Sequence, residues 1–126
     1  MSKAKLISVV IPNYNGSRTI AKTIDSVKKQ SFLDFDVTIV DDCSRDNSVY
    51  IIDNSIKDLK NFKLVKLTEN KGASNARNQG VKESNGEIIL FTDSDVILKK
   101  DTIQKVADSF KKNRDISAVV GLPDKE

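Results

Sequence analysis

The run Thr92-Asp93-Ser94-Asp95 sets two carboxylates two residues apart, directly after the apolar pair Leu90-Phe91. If a strand ends there, both acids can face one point in space. Hard divalent cations such as Mg²⁺ and Mn²⁺ take oxygen ligands of this kind and complete their shells with water and phosphate oxygens. An Asp-rich turn that caps the next element is the plain alternative. A second acidic pair, Asp41-Asp42, follows Ile39-Val40, and a polar stretch, Pro12-Asn13-Tyr14-Asn15, follows Val9-Val10-Ile11. Carboxylates gathered on one rim repel, so a cation or a hydrogen-bonding ligand is needed to hold them together. A divalent metal carrying a phosphorylated ligand meets both needs.

The other polar segments suit such a ligand. A carboxylate at a strand end, as at Asp42, accepts hydrogen bonds from a ring N–H or a ribose hydroxyl. It can also N-cap the following helix, a role that fits Ser44 better. Cys43 reads as a packed small residue, since no base lies near it in sequence. Asn70-Lys71-Gly72 is a glycine-containing turn running into a helix, and free N–H groups at a helix start attract anions. Arg77 either adds a fixed charge near a diphosphate or is a surface arginine paired with a helix-face acid. The segment lacks the Gly-Lys-Ser/Thr ending of a Walker A loop. Tyr14 either stacks on a base or covers the end of the core.

The elements that must position these residues alternate in period. Leu6 to Ile11 is a near-continuous apolar run, as expected of a strand buried on both faces. From Ser17 the pattern changes, and Ile20, Ile24 and Val27 mark one face of a helix that ends near Gln30. Val37 to Val40 is a second strand. Val49, Ile52, Ile56 and Leu59 give a second helix, with Ser44 or Asp46 as its N-cap. Phe62 to Leu67 is a third strand. Ala73, Ala76 and Gly80 line a small-residue helix able to approach the sheet closely. Glu87 to Phe91 is a fourth strand, introduced by the Asn85-Gly86 turn. Asp101 and Gln104 form a capping-box pattern ahead of a helix carrying Ile103, Val106, Ala107 and Phe110. Ile116 to Val120 reads as a fifth strand, closed by Gly121 and Pro123. The alternation predicts an α/β fold, a mostly parallel sheet with helices on both faces.

Composition bounds the rest. The 126 residues suit one compact domain, and 38% apolar with 31% charged residues describes a globular chain. A net charge of +3 with scattered lysine pairs offers no basic stripe, so no nucleic-acid partner is expected. The absence of histidine removes Ser-His and Cys-His nucleophiles and histidine metal sites. The single cysteine, Cys43, forms no internal disulfide and is consistent with a reducing, cytoplasmic location. No apolar stretch reaches the roughly 18 residues of a membrane span, and no signal peptide is evident. Membrane association of a longer parent protein stays open.

Four segments in this order resemble the family 2 glycosyltransferases of GT-A fold. They are Ser8 to Asn15, Val40 to Asp46, Asn70-Lys71-Gly72 with Ala76 to Gly80, and Gly86 to Asp95. The resemblance covers nearly the whole chain. It implies a nucleotide-sugar donor, commonly a uridine diphosphate sugar, and a divalent metal, Mn²⁺ or Mg²⁺. By motif position, Pro12 and Tyr14 would line the nucleoside pocket, and Asp42 would bond the uracil ring. Arg77 would lie near base and diphosphate, Asp93 by the ribose, and Asp95 on the metal. An acceptor hydroxyl would then attack the anomeric carbon with inversion. The family's general base comes from a later part of the domain, and nothing after Asp95 has its pattern; Asp124 and Glu126 lie in a terminal tail. The expectation is therefore a single GT-A donor-binding domain over residues 1–126, incomplete at its C-terminus. Such a chain would bind nucleotide weakly and transfer sugar poorly or not at all. Two other readings are a non-catalytic nucleotide-sugar-binding module, self-associating through exposed edges, and a phosphoacceptor receiver domain.

Overall fold

The computed structural model describes residues 4–113 and 115. Strands β1 (Ile7–Asn13), β2 (Phe35–Asp41), β3 (Phe62–Lys66) and β4 (Ile88–Phe91) alternate with helices α1 (Ile20–Lys28), α2 (Ser48–Ile56), α3 (Ala73–Lys82) and α4 (Thr102–Lys112). The sheet order is β3-β2-β1-β4, and every neighbouring pair is parallel. The C-terminal ends of all four strands therefore share one rim. The fifth strand expected at Ile116 to Val120 lies outside the described residues, as do Asp124 and Glu126.

β1 is buried at every position because both of its faces are covered. On one face Ile7, Val9 and Ile11 join Ile20, Ile24 and Val27 of α1, Ile52 of α2 and Ile103 of α4 in a single apolar cluster. The other face belongs to α3. A Cβ added at Gly80 would collide with Val10 Cγ1, so α3 crosses β1 at a distance only glycine permits. The helices thus lie on both faces, as the small-residue stripe of α3 implied.

The order β3-β2-β1-β4 removes the receiver alternative. That module places β1 between β2 and β3, in the order 2-1-3-4-5, whereas here β2 separates β1 from β3.

Several boundaries differ from the sequence reading, each for a local reason. β1 runs on through Pro12 and Asn13, which were expected in a loop. Val10 C=O accepts from Thr92 N–H on the β4 side, and Asn13 C=O accepts from Asp42 N–H on the β2 side. By alternation the missing donor of Pro12 faces the β4 side, where that ladder has already ended at Val10. No ladder bond is lost, so proline is tolerated inside the strand. Helix α1 starts at Ile20, and Ser17 belongs to the turn before it. Neither Ser44 nor Asp46 occupies the N-cap of α2, which is Asn47 without a side-chain bond. The capping box at α4 does not form either. Asp101 sits at the N-cap but makes no capping bond, and Gln104 Nε2 donates to Asp108 instead. Gln30, at the far end of α1, supplies the acceptor: its Oε1 takes the Ile103 N–H at 2.9 Å. Among the described residues no helix is long and apolar enough to cross a membrane.

Candidate functional site

The rim is built by four loops that bond to one another. Asn13, at the tip of β1 and 1% exposed, donates through Nδ2 to Asp41 Oδ1 at 2.9 Å. Asp41 also accepts from Ser44 Oγ at 2.7 Å and from Ser44 N–H at 2.9 Å. Ser44 Oγ in turn accepts the Asn15 N–H at 2.8 Å. Asn15 holds a positive φ of 53° and returns an acceptor, Oδ1, to the Arg45 N–H at 2.8 Å. Ser44 is thus a bridge between the β1 and β2 loops, not a helix cap. The sequence offered Asp41-Asp42 as one acidic pair, but the structure separates their roles. Asp41 closes the β1–β2 junction, and its neighbour turns to the β3 side.

Asp42 is 3% exposed. Its two oxygens accept the backbone N–H groups of Lys71, at 3.0 Å, and Gly72, at 2.8 Å. This is possible because Gly72 adopts φ 97°, a conformation that turns the chain into α3 and that L side chains avoid. An ionised carboxylate has about four acceptor sites, so one lone pair on each oxygen remains for a ligand. Four residues into α3, Arg77 reaches across to β4. Its Nη2 donates to Asp93 Oδ1 at 3.3 Å. Two expected site residues therefore meet directly, and a third, Asp42, fixes the start of the helix that carries one of them. Arg77 does form an ion pair, but its acid is the expected site residue Asp93 on the loop after β4, not an acid on a helix face.

Tyr14 stands just beyond β1 and is 46% exposed, which leaves part of its ring open to a ligand. Pro12 is buried beneath it in the strand. Asp95 is exposed and makes no side-chain hydrogen bond or ion pair among the described residues. Between the two acids, Ser94 is fixed inward. Its C=O accepts hydroxyl donors from Thr19, at 2.8 Å, and Thr23, at 2.9 Å. Asp42 and Asp95 lie on the same rim, as the chemistry requires. A groove of about 760 Å³ along the outer side of α1, lined in part by Lys22, Lys29 and Ile97, includes none of Asp42, Arg77, Asp93 and Asp95.

Among the described residues no three His, Cys, Asp or Glu side chains converge to enclose a metal ion. The donor set fits a hard cation that contacts one carboxylate and draws its remaining oxygens from water and a phosphorylated ligand. Close to the rim, Asp46 Oδ2 accepts the Ser17 N–H at 3.0 Å, and Oδ1 accepts the Ser48 N–H at 2.9 Å and the Ser48 hydroxyl. Burial pushes the Asp46 carboxyl up, but these hydrogen bonds from Ser48 and Ser17 outweigh it and hold the group below its ordinary value. Sequence reading put Asn13 and Asn15 on the rim without a bonding role, and it missed the α1 hydroxyls. Only the position of Thr19, Thr23, Ser26 and Gln30 on one helix face could have marked the last of these.

Comparison with known proteins agrees with this architecture. The family model described as glycosyl transferase family 2 matches residues 8–126. Poly-beta-1,6-N-acetyl-D-glucosamine synthase of Staphylococcus epidermidis is 34% identical over 117 residues, covering 93% of this chain and 28% of the synthase. Poly(ribitol-phosphate) beta-N-acetylglucosaminyltransferase TarS of Staphylococcus aureus is 37% identical over 103 residues, covering 79% of this chain and 18% of TarS. The crystal structure of TarS 1–349 in complex with UDP-GlcNAc aligns at a TM-score of 0.80 and 33% identity, over 86% of this chain and 32% of that one. The mannosyltransferase PcManGT of Pyrobaculum calidifontis, in complex with GDP-Man and Mn²⁺, shares the fold at a TM-score of 0.79 and 24% identity, over 86% of this chain and 33% of its own. The chain spans less than a third of the length of these relatives' sequences.

Proposed function

The chain belongs to glycosyl transferase family 2 and has the GT-A fold, and on that footing we propose that it is the donor-binding part of a metal-dependent, inverting glycosyltransferase. The donor is a nucleotide sugar, with uridine diphosphate as its carrier. The TarS complex with UDP-GlcNAc supports this donor class.

The observation that carries the reading is the layout of the rim. Asp42 follows β2, Arg77 projects from α3, and Asp93 and Asp95 follow β4, all toward one edge, with Arg77 bonded to Asp93 and Asp95 without a side-chain hydrogen bond among the described residues. Tyr14, exposed above buried Pro12, offers a ring face for a base. Asp42 holds the Lys71-Gly72 turn and presents its spare lone pairs to a ring N–H. Arg77 places its guanidinium near the diphosphate and at the same time steadies Asp93 beside the ribose. Asp95 would hold Mn²⁺ or Mg²⁺, with the diphosphate completing its oxygen ligands. When bound, that ion supplies positive charge against the leaving diphosphate. We assign no general base to the described residues, so the acceptor hydroxyl is activated by a group from elsewhere in the enzyme.

Calorimetry with uridine diphosphate, with and without Mn²⁺, on this chain and on Asp95→Ala tests the reading. Binding that strengthens with metal in the native chain and loses that gain in the variant supports it. Equal metal-dependent binding in both removes Asp95 from the metal.

A further inference from the structure

Helix α1 buries a second stripe that its apolar face does not explain. Thr23, Ser26 and Gln30 are 0%, 7% and 4% exposed, and Thr19 precedes them by one turn. Buried polar side chains destabilise a fold unless each finds a partner. All four find theirs in one place, the stretch that joins β4 to α4. Thr19 and Thr23 both donate to Ser94 C=O, at 2.8 and 2.9 Å. Ser26 Oγ accepts the Leu98 N–H at 3.0 Å. Gln30 Nε2 donates to Lys99 C=O at 2.6 Å, and its Oε1 accepts from Ile103 N–H at 2.9 Å. The Ser31 N–H extends the row by donating to Lys100 C=O at 2.9 Å. The stretch has no ladder or helix of its own between Thr92 and Asp101. Its course is set by groups in and flanking α1, met in the same order along both segments.

From this we infer that Thr19 and Thr23 are positioning residues for the metal-holding acid: by seizing the carbonyl between Asp93 and Asp95 they aim Asp95 at the donor site. The inference rests on the metal-holding role proposed for Asp95. Both lone pairs of a single carbonyl are taken, which fixes the peptide plane that follows Ser94. That plane leads directly into Asp95. The carboxylate itself makes no side-chain hydrogen bond or ion pair among the described residues. Its freedom from partners and its fixed backbone are two halves of one arrangement. Groups that orient a metal ligand without touching the metal typically carry 10–100-fold of the metal affinity.

The test uses Thr19→Val with Thr23→Val, which keeps side-chain volume and removes both donors. Two affinities are measured on the full chain: Mn²⁺ in the presence of uridine diphosphate, by water-proton relaxation, and uridine diphosphate without metal, by calorimetry. The expected result is Mn²⁺ binding weakened about tenfold, unchanged metal-free nucleotide binding, and recovery in Thr19→Ser with Thr23→Ser. Thr19→Val alone carries the test if the double variant does not fold. Mn²⁺ affinity equal to the native chain in the valine variants, with Asp95→Asn weakened, overturns the positioning role and leaves Asp95 on the metal. Native Mn²⁺ affinity in Asp95→Asn overturns both.

Discussion

The Asp42 carboxylate accepts the N–H of Gly72 at 2.8 Å, which welds the end of β2 to the first turn of α3. A residue that the sequence offers as a ligand contact is thus also a brace for the loop that carries Lys71 and, one helical turn on, Arg77. Both duties need the charge, and they separate in experiment.

Asp42→Ala removes two hydrogen bonds to a charged acceptor, each worth about 1.5–3 kcal/mol. We expect a loss of about 2 kcal/mol or more in urea unfolding of the ligand-free chain, and a smaller loss for Asp42→Asn, which keeps one acceptor. Ligand-free stability equal to that of the native chain would show that the brace contributes nothing.

Two glycines fail for opposite reasons. Around Gly72 nothing lies within 4 Å of an added Cβ, so Gly72→Ala is strained only by its φ of 97°, at a cost of about 1–3 kcal/mol. Gly80→Ala instead drives a methyl group into Val10, at a cost of about 1–3 kcal/mol. Val10→Ala should recover part of the loss in Gly80→Ala and none in Gly72→Ala. A double-mutant cycle measured by thermal unfolding reads the difference.

Asp46 makes the rim sensitive to acid. Its folded value lies below the ordinary 3.8 because hydrogen bonds from Ser48 and Ser17 outweigh its burial. The folded chain therefore binds this proton less readily than the unfolded chain. The stability gained is fully present above the unfolded value and is lost as pH falls through the folded one. Asp46→Asn should flatten the fall in unfolding free energy between about pH 5 and 2. A pH series of urea melts that runs parallel for both proteins would contradict this.

The Arg77–Asp93 pair is open to solvent, with side chains 37% and 61% exposed at 3.3 Å. Such pairs contribute about 0–1 kcal/mol to stability. Arg77→Ala should leave the melting temperature nearly unchanged and weaken uridine diphosphate binding several-fold. A large stability loss with unaltered nucleotide affinity would make the pair structural only.

The sequence by itself determined the elements and their order. The short apolar run at Leu6 to Ile11 reads as a strand covered on both faces, and the stripes of α1 and α4 carry a helical period. It also placed the polar motifs at strand ends, because apolar runs stop where the sheet stops. Side-chain type further foretold the close approach of α3, since Ala76 and Gly80 are buried against the sheet. Tertiary structure decided which partner each polar group takes. Hydrogen bonding is short-ranged and directional, so nothing in local spacing shows that Asp41 bonds Asn13, that Asp42 bonds Gly72, or that Ser94 is held by Thr19. These contacts link residues 28, 30 and 75 positions apart. The cap at α4 gives the same lesson: a local pattern at Asp101 and Gln104 yielded to Gln30, which the fold had already carried to the helix start. Periodicity is a property of neighbours along the chain, whereas a site is a property of neighbours in space.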